Sequence, residues 1–439
     1  MTSVLRSLDH GDRAPVPAYS TGISDFFPRP KLRVVEGSFI DKDIFEISSI
    51  NGGVNGEIEG SFVEFRYPGH EKGYLDLSSL VLNIAGSVTK EGGGALEADD
   101  KVTLADGFMF TLIKSISVYL NDHQVDLNTV HSYSAYVNMV TAMNPHHRET
   151  LGECIGFANK RTPDVITDAH MADSAAETAH LRAHGFHYSA PLTCDIAGSD
   201  MYLVSNVSLR IKIEFNSDQF MLNTPTANFR PRLKISRCTL QLTTRTPRPE
   251  AHSALMESML NAPLSYIYPK MLHKNYILPA QQTSLSMDYP FSKVIPETLY
   301  IFMVRMPSAA GDYKRNPFYF GHNNIQSLQV YADNKNMCDI KCSFPGKCTN
   351  FYYNTLASLG AETFHGLTKD LFMNGRTIAV ISLEPEKLSD VVAIEKDGNL
   401  RLSMQLARPA DENIVVYILG TTTAVYYIDK DSNVYTDTR

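Results

Sequence analysis

Apolar and polar residues alternate along much of this chain, and a period of two residues is typical of half-buried β-strands. The clearest example is the stretch 207–215, where apolar residues occupy every odd position and polar residues occupy every even one. Such a stretch predicts an antiparallel strand with one face on the core and the other toward water. Similar stretches recur over residues 36–246 and 263–439, so the pattern predicts a predominantly β protein.

One strand pattern occurs twice, about half the chain apart. Residues 115–122 read Ser-Ile-Ser-Val-Tyr-Leu-Asn-Asp, and residues 327–334 read Ser-Leu-Gln-Val-Tyr-Ala-Asp-Asn. Each copy ends in an Asn/Asp turn signal and is followed by an aromatic-rich stretch of helical character, at 131–144 and at 349–361. The recurrence predicts two copies of one β-domain.

Other stretches give less regular patterns. Residues 73–89 predict one long strand, and residues 108–121 predict either one long strand or two. Residues 145–185 are rich in His, Ala, Asp and Thr without a clear period, and we expect a long loop there. Helices are therefore expected to be few, short and inserted between strands.

A Pro-rich run at 246–250 is the best candidate for a domain boundary, because proline cannot donate to a β-ladder. We therefore expect an N-terminal arm at 1–35, a first β-domain at 36–246, a linker with a short helix at 247–262 and a second β-domain at 263–439. Strands spaced in this way, with long inserted loops, favour antiparallel sandwiches of the jelly-roll kind over alternating βαβ units. The expected fold class is all-β, with two tandem eight-stranded antiparallel jelly rolls and short inserted helices.

Composition narrows the functional classes. The net charge of −8 argues against a surface built to grip nucleic acid, so we expect direct nucleic-acid binding to be weak or absent. No apolar run reaches the roughly 18 residues of a membrane span, and the first residues lack the apolar core of a secretory signal. Six cysteines in such a chain are expected to be reduced thiols in a cytosolic or nuclear setting.

Two residue clusters are candidates for metal sites. Cys338, Cys342 and Cys348 lack the C-x2-C or C-x4-C pairs of structural zinc sites, so ordinary thiols are the favoured interpretation. His180 and His184 would share a helical face, with His187 in a following strand, but the glutamate of an HExxH motif is missing. Exposed histidines are the favoured interpretation of this cluster, and neither cluster predicts a cofactor.

The chain also lacks the signatures of common enzymes. It contains no His-x-His pair of a cupin, no G-x-S-x-G nucleophile elbow and no phosphate-binding glycine loop. We therefore expect a protein that is not an enzyme.

One segment resembles a known family. Residues 306–334 are similar to a segment of the double jelly-roll major capsid proteins of the Polinton/Maverick and adintovirus group. In that group a Gly-Asp-Tyr…Asn-Pro-Phe segment precedes a strand that ends in a Val-Tyr-x-Asp-Gly turn. The matching residues here are Gly311, Asp312, Tyr313, Asn316, Pro317, Phe318, Phe320, Val330, Tyr331 and Asp333. Asn334 replaces the last glycine of the pattern and still permits the turn.

The resemblance extends with weaker motifs over roughly residues 60–430 and implies a structural protein. Its members form homotrimers whose six jelly rolls make a pseudo-hexameric capsomer, and these capsomers tile the icosahedral shell of a double-stranded DNA virus or virus-like element. The implied partners are the chain itself, a capsomer lattice and penton or minor capsid proteins. The implied location is the virion, after synthesis in the host cytoplasm.

Several alternatives remain open from the sequence. The 311–320 segment is expected either to organise the end of the second sandwich or an inter-subunit contact, or to form a turn within one domain. The chain could also be a minor capsid protein or a host-domesticated binding protein with the same fold. A cupin-like or β-sandwich enzyme is the remaining alternative.

Overall fold

A computed structural model describes residues 39–436 except 53–57, 59, 72, 143–144, 158–162, 200, 361–365 and 384–395. The expected arm at 1–35 lies outside the described residues.

The first half forms two facing sheets and a small two-stranded one. Its strands are β1 (Phe39–Ser48), β2 (Phe62–Tyr67), β3 (Tyr74–Asp76), β4 (Val81–Thr89), β5 (Thr103–Leu104), β6 (Ile113–Leu120), β7 (His123–Asn128), β8 (Phe186–Pro191), β9 (Tyr202–Leu203), β10 (Leu209–Phe215), β11 (Leu222–Asn223) and β12 (Arg232–Pro247). One sheet has the order β8-β4-β12-β3-β9, with β1 paired along the other edge of β12. The second sheet has the order β2-β10-β6-β7, and β5 pairs with β11.

The second half is built in the same way. Its strands are β13 (Leu264–Leu278), β14 (Ser284–Asp288), β15 (Val294–Ile295), β16 (Thr298–Arg305), β17 (Ile325–Ala332), β18 (Lys335–Lys341), β19 (Ala379–Ser382), β20 (Lys396–Asp397), β21 (Leu400–Leu406), β22 (Ile414–Ile428) and β23 (Val434–Thr436). One sheet has the order β13-β22-β16-β19, with β23 also on β22, and the other has the order β14-β21-β17-β18.

The two halves have equivalent strand orders. In chain order, β1, β2, β4, β6, β7, β8, β10 and β12 correspond to β13, β14, β16, β17, β18, β19, β21 and β22. With this correspondence, β1-β12-β4-β8 matches β13-β22-β16-β19, and β2-β10-β6-β7 matches β14-β21-β17-β18. Two four-stranded antiparallel sheets in this order form an eight-stranded jelly roll, so the structure confirms the predicted tandem of jelly rolls.

The repeated sequence pattern forms an equivalent hairpin in each half. β6 turns into β7 through Asn121 and Asp122, whose φ values are 45° and 64°, and β17 turns into β18 through Asp333 and Asn334, with φ values of 46° and 65°. Two successive positive φ angles give the turn whose twist matches antiparallel strands, and Asn and Asp tolerate them best among side-chain-bearing residues.

Helices and short 3₁₀ turns lie between the strands. The helices are Phe108–Leu112, His131–Ala142, Pro145–Ile155, Asp168–Asp173, Ala175–His184, Asp218–Met221, Pro249–Asn261, Met306–Ala310, Thr349–Ser358 and Lys369–Met373, and the 3₁₀ turns are Leu77–Ser79 and Asp195–Gly198. The two aromatic-rich stretches are helical, as predicted. The interdomain helix begins at Pro249, where a missing N–H costs nothing at the first helical position.

Three expectations were wrong in detail. Residues 73–89 do not form one strand, because the 3₁₀ turn Leu77–Ser79 interrupts it. Residues 108–121 begin as the helix Phe108–Leu112, and only Ile113–Leu120 is a strand. Residues 145–185 are not a plain loop, since three helices occupy most of their described part. The helix Phe108–Leu112 is buried on every side, and a residue run that is apolar all round cannot be distinguished from a buried strand by its period.

Candidate functional site

The surface on which the two halves meet contains most of the resemblance motif. We call it the junction. Its described residues lie in 106, 125–136, 157, 163–166, 194–199, 201–204 and 217–231 of the first half and in 264–273, 302–320, 376 and 412–417 of the second. The junction is the candidate functional site because it brings the 311–320 segment into contact with the other half.

Backbone groups of the 311–320 segment bond to the first half. The amides of Thr224 and Ile166 donate to the carbonyl oxygens of Tyr313 and Lys314, both at 2.8 Å, and the amide of Asn316 donates to the carbonyl of Asp164 at 3.0 Å. Gly311 ends the helix Met306–Ala310 with a φ of 95°. A Cβ there would lie 3.2 Å from the backbone nitrogen of Phe220, so the close approach of the two halves favours glycine.

The polar side chains of the segment fix its local shape. The Asp312 carboxylate accepts from the amide of Lys314, and the Asn316 side-chain oxygen accepts from the amide of Phe318, both at 2.9 Å. Asn316 is 2% exposed, and Pro317 beside it is buried. The Tyr313 hydroxyl donates to the carbonyl of Pro231 in the first half at 3.0 Å.

Aromatic rings fill the centre of the junction. Phe318 stacks on Tyr136, with ring centroids 4.1 Å apart and planes 6° apart, and meets Tyr133 edge to face. Phe320 packs on the same two tyrosines and on Phe302. Tyr133 and Tyr136 lie in the first-half helix His131–Ala142, which is buried on almost every side, and rings of the second half cover the face that carries these two tyrosines. Such ring pairs add about 0.5–1.5 kcal/mol each beyond their buried area.

Charged side chains cross the junction beside these rings. The Asp164 carboxylate lies 3.1 Å from the Arg305 guanidinium and 3.8 Å from that of Arg315, and Glu412 lies 2.6 Å and 3.1 Å from the same two groups. Burial raises the pKa of Asp164 even though both arginines favour its charged form. Asp164 belongs to the first half, whereas Arg305, at the end of β16, and Glu412, just before β22, belong to the second. The network therefore links the loop that contains Asp164 to the second half.

A second ion pair is almost fully buried. Arg376 of the second half lies 3.8 Å from Asp106 of the first, and the two side chains are 3% and 4% exposed. The same guanidinium lies 5.0 Å above the Phe157 ring. Breaking such a buried pair from one side is strongly destabilising, because the remaining charge stays out of water.

The free edge of β13 docks on the first half through tyrosine hydroxyls. The Tyr268 hydroxyl donates to the carbonyl of Val125 in β7 at 2.9 Å. The Tyr266 hydroxyl donates to the carbonyl of Tyr202 at 3.1 Å and accepts from the amide of Val204 at 3.2 Å. Both tyrosines are buried, and their ring bodies extend the apolar contact.

Two carboxyl groups meet next to this edge. Asp126 of β7 accepts from the amide of Asp195 at 2.9 Å, and the Asp195 carboxyl accepts from the amide of Met271 in β13 at 2.8 Å. Asp126 is 3% exposed. Burial, with a smaller contribution from the neighbouring carboxylate, raises the pKa of Asp126, and burial raises the pKa of Asp195.

The resemblance residues divide into two groups. Those at 311–320 lie in the junction, whereas Val330, Tyr331 and Asp333 belong to the β17–β18 hairpin. Val330 is in the core of the second half, and Asp333 accepts from the amide of Asn399 at 2.7 Å. The junction contacts of 311–320 lie between two halves of one chain, an arrangement that the sequence did not anticipate. Sequence reasoning also missed Tyr133, Tyr136, Asp126, Asp195 and Tyr268. The aromatic richness of 131–144 was a signal for the first two only.

The residues of the two candidate metal clusters have different surroundings. His180 and His184 lie on the helix Ala175–His184 with ring centroids 5.1 Å apart, His187 lies on β8, and all three are exposed. Burial raises the pKa values of the Cys338 and Cys342 thiols to about 11. Within the described residues, no three His, Cys, Asp or Glu side chains are grouped to hold a metal ion. None of the described helices combines the length and the apolar composition that crossing a membrane requires.

No family model and no curated protein sequence matches this chain. Among solved structures, a chain of the Sputnik virophage structure is 12% identical, with a TM-score of 0.61 over 92% of this chain and 90% of that chain. A chain of the PBCV-1 virus capsid is 9% identical, with a TM-score of 0.58 over 93% and 99%. The Faustovirus major capsid protein is 8% identical, with a TM-score of 0.53 over 96% of each chain.

Such low identities establish the fold alone. The likeness extends over both halves and their mutual placement, since more than nine tenths of this chain is covered in each comparison. Together with the duplicated strand order, it shows that the chain is an all-β double jelly roll.

Proposed function

We propose that this chain is a major capsid protein whose homotrimers form pseudo-hexameric capsomers of an icosahedral double-stranded DNA virus or virus-like element. The observation that carries the proposal is the repetition of one eight-strand order in two halves that are locked together by a buried junction. The structures that share this fold include a virus capsid chain and a major capsid protein, which supports the same role here.

The geometry suits a sixfold position in a shell. Three chains around a threefold axis would present six similar lobes, and six lobes can meet six neighbours. This requires each chain to hold its two lobes at a fixed relative orientation, and the aromatic, ionic and strand-edge contacts of the junction provide that rigidity. Closed symmetric interfaces between chains would then supply the assembly energy.

Finer assignments belong to the same proposal. The 306–334 segment supports affiliation with the Polinton/Maverick and adintovirus group. We propose domains at 36–246 and 263–439 joined by 247–262, with 1–35 as an arm in contact with neighbouring chains. Penton or minor capsid proteins are the proposed vertex partners, the virion is the proposed location, and host cytoplasm is the proposed place of synthesis. We propose no catalytic role, and two complete jelly rolls favour a shell protein over a single-sandwich vertex protein.

Light scattering coupled to size exclusion, followed by negative-stain imaging of the purified full chain, tests the proposal. We expect a species of three times 48.9 kDa that persists on dilution, and particles with six-lobed outlines or closed shells. A monomer at every concentration would contradict the proposal. Stoichiometric metal in the purified protein would instead favour the enzymatic alternative.

A further inference from the structure

The Asp126–Asp195 pair lies where three elements meet. Asp126 is on the edge strand β7, Asp195 begins the 3₁₀ turn Asp195–Gly198, and Met271 is on the edge strand β13 of the other half. The pair therefore forms a chain of hydrogen bonds across the junction, from β7 through the 3₁₀ turn to β13.

Both carboxyl groups have backbone amides nearby that favour their charged forms: those of Asp195 and Ile196 act on Asp126, and that of Met271 acts on Asp195, but burial outweighs them. One oxygen of Asp126, Oδ1, is buried and has no described donor at hydrogen-bond geometry. An unpaired buried oxygen beside a second carboxyl group costs free energy when both groups are ionised. A single shared proton would satisfy it and remove one of the two charges.

The surroundings offer limited compensation for a double negative charge. Lys270 is the one described cation that acts on both carboxyl groups, and its side chain is exposed to water, which weakens its effect. The other titratable neighbours are Cys194 beside Asp195 and Tyr268 on β13. Burial raises the pKa values of this thiol and this hydroxyl, so both stay neutral near pH 7.

We propose that Asp126 and Asp195 share one proton that holds the two jelly rolls together, and that its loss loosens the docking of the β13 edge. With the proton, the pair is a carboxylic acid bonded to a carboxylate. Without it, two negative charges face each other in the buried junction, and the amide of Met271 and the Tyr268 hydroxyl lose their fixed partners as the edge moves away. This inference does not depend on the proposed function.

The direction of the pH effect follows because the protein with the β13 edge docked (the closed state) binds the proton more tightly than the protein with this edge undocked (the open state). Burial and the neighbouring charge raise the pKa of Asp126 to about 7 and burial raises that of Asp195 to about 6, whereas an open, hydrated carboxyl returns to about 4. The stabilisation is therefore complete below about pH 4 and is lost as the pH rises to about 7. The opening equilibrium should increase by up to roughly tenfold per pH unit across this range.

Hydrogen exchange of the full chain tests this proposal between pH 5 and pH 7.5, with rates corrected for intrinsic exchange. We expect the amide of Met271, which donates to Asp195 across the junction, to lose protection by at least tenfold in the wild type. Asp126→Asn is the matched variant, because its side chain is nearly isosteric and its NH₂ replaces the shared hydrogen without titrating. Its protection should be independent of pH. Equal pH profiles in wild type and variant would overturn the proposal.

A measurement on the wild type avoids any folding defect of the variant. Infrared titration should detect a protonated carboxyl that persists above pH 5.5, where ordinary aspartates are ionised. Absence of such a carboxyl would overturn the proposal. Asp195→Asn, which keeps the acceptor for the Met271 amide, should abolish the signal in the same way as Asp126→Asn.

Discussion

At the scale of single residues, Asn316 and Asp312 make the same kind of contact at different depths. Each accepts a backbone amide two residues ahead, but Asn316 is 2% exposed and Asp312 is partly exposed. We expect Asn316→Ala to lower the free energy of unfolding by about 1–3 kcal/mol, because a buried amide loses its acceptor. Asp312→Ala should cost less than about 1 kcal/mol, since water replaces the carboxylate. Urea denaturation followed by circular dichroism measures both.

If the two variants lost equal amounts of unfolding free energy, burial would not explain the difference expected between Asn316 and Asp312. The same variants address the earlier expectation that this loop contacts another subunit. If both variants keep the oligomeric state of the wild type while Asn316→Ala is destabilised, the loop acts within the chain, as its contacts with the first half indicate.

His131 gives a second residue-scale prediction. It is completely buried, its Nε2 lies 2.8 Å from the carbonyl oxygen of Thr193, and burial lowers its pKa to about 4. The unfolded chain would bind a proton near pH 6.5 while the folded chain would not. The contribution of His131 to stability is therefore fully present above about pH 6.5 and falls by up to about 3 kcal/mol as the pH drops toward 4. Denaturation of the wild type and of His131→Gln at pH 4.5 and pH 7 checks this, because the Asp126–Asp195 pair, which acts in the opposite direction, is common to both proteins.

Between pH 7 and pH 4.5, His131→Gln should lose less stability than the wild type, or gain more, by up to about 3 kcal/mol. The control is His184→Gln, because His184 is exposed and should leave the wild-type difference unchanged. If the change in stability between pH 7 and pH 4.5 were the same in His131→Gln as in the wild type, groups other than His131 would be responsible for it.

The sequence identified some junction residues and missed others for a definite physical reason. The 311–320 segment stood out because its turn formers and aromatic residues are contiguous. Its partners Tyr136 and Asp164 lie far away along the chain, and nothing in local spacing reports which distant rings stack. Asp126 occupies a buried position of an edge strand. Alternation along a strand predicts which face of the sheet a side chain lies on, but it does not predict that another carboxyl group lies beside it.

At the scale of elements, the β17–β18 hairpin depends on two residues with positive φ. Asn334 has a φ of 65° and is exposed, and it stands where the resembling family has glycine. We expect Asn334→Ala to destabilise the protein by about 1 kcal/mol, because a Cβ without a local hydrogen-bonding group is strained there. Asn334→Gly should stay within about 0.5 kcal/mol of the wild type. Thermal unfolding of the three proteins measures the differences.

A loss in Asn334→Gly as large as that in Asn334→Ala would show that the Asn side chain, and not the backbone angle, stabilises the turn. Asn336→Ala on the adjoining strand is the control, since that exposed residue has no positive φ.

Strands were easier to predict than helices in this protein. β10 alternates in sequence and in burial along its whole length, because one face lies on the core and the other in water. The helix Phe108–Leu112 has no polar face and so gave no helical period. The helices between 145 and 184 are short and only weakly amphipathic, so their composition resembled that of a loop. Burial from all sides and brevity both remove the periodicity on which sequence prediction rests.

At the scale of the whole molecule, the junction should make the two halves unfold together. We expect one transition in guanidinium for the wild type. Phe318→Ala removes a ring that is 1% exposed and stacked across the junction, and should cost about 3–5 kcal/mol. Because this loss falls on the contact between halves, the variant should unfold in two separate transitions, resolved by calorimetry.

Phe372→Ala is the matched control. Phe372 is also fully buried, but its ring contacts are with Phe351 and Tyr352 of the second half. It should lose similar stability while retaining one transition. If both variants unfolded in two transitions, or both in one, Phe318 would not be the residue through which the unfolding of the two halves is coupled.

The docking of β13 also has a consequence for the order of events during translation. The first half leaves the ribosome before β13, with the carbonyls of Val125 and Tyr202 still open to water. The strand that covers them begins at Leu264, directly after the helix Pro249–Asn261, and is the first strand of the later half to emerge. The first residues of the second half thus cover the nascent first half as soon as they are synthesised. The carbonyls of Val125 and Tyr202 are therefore exposed to water only briefly.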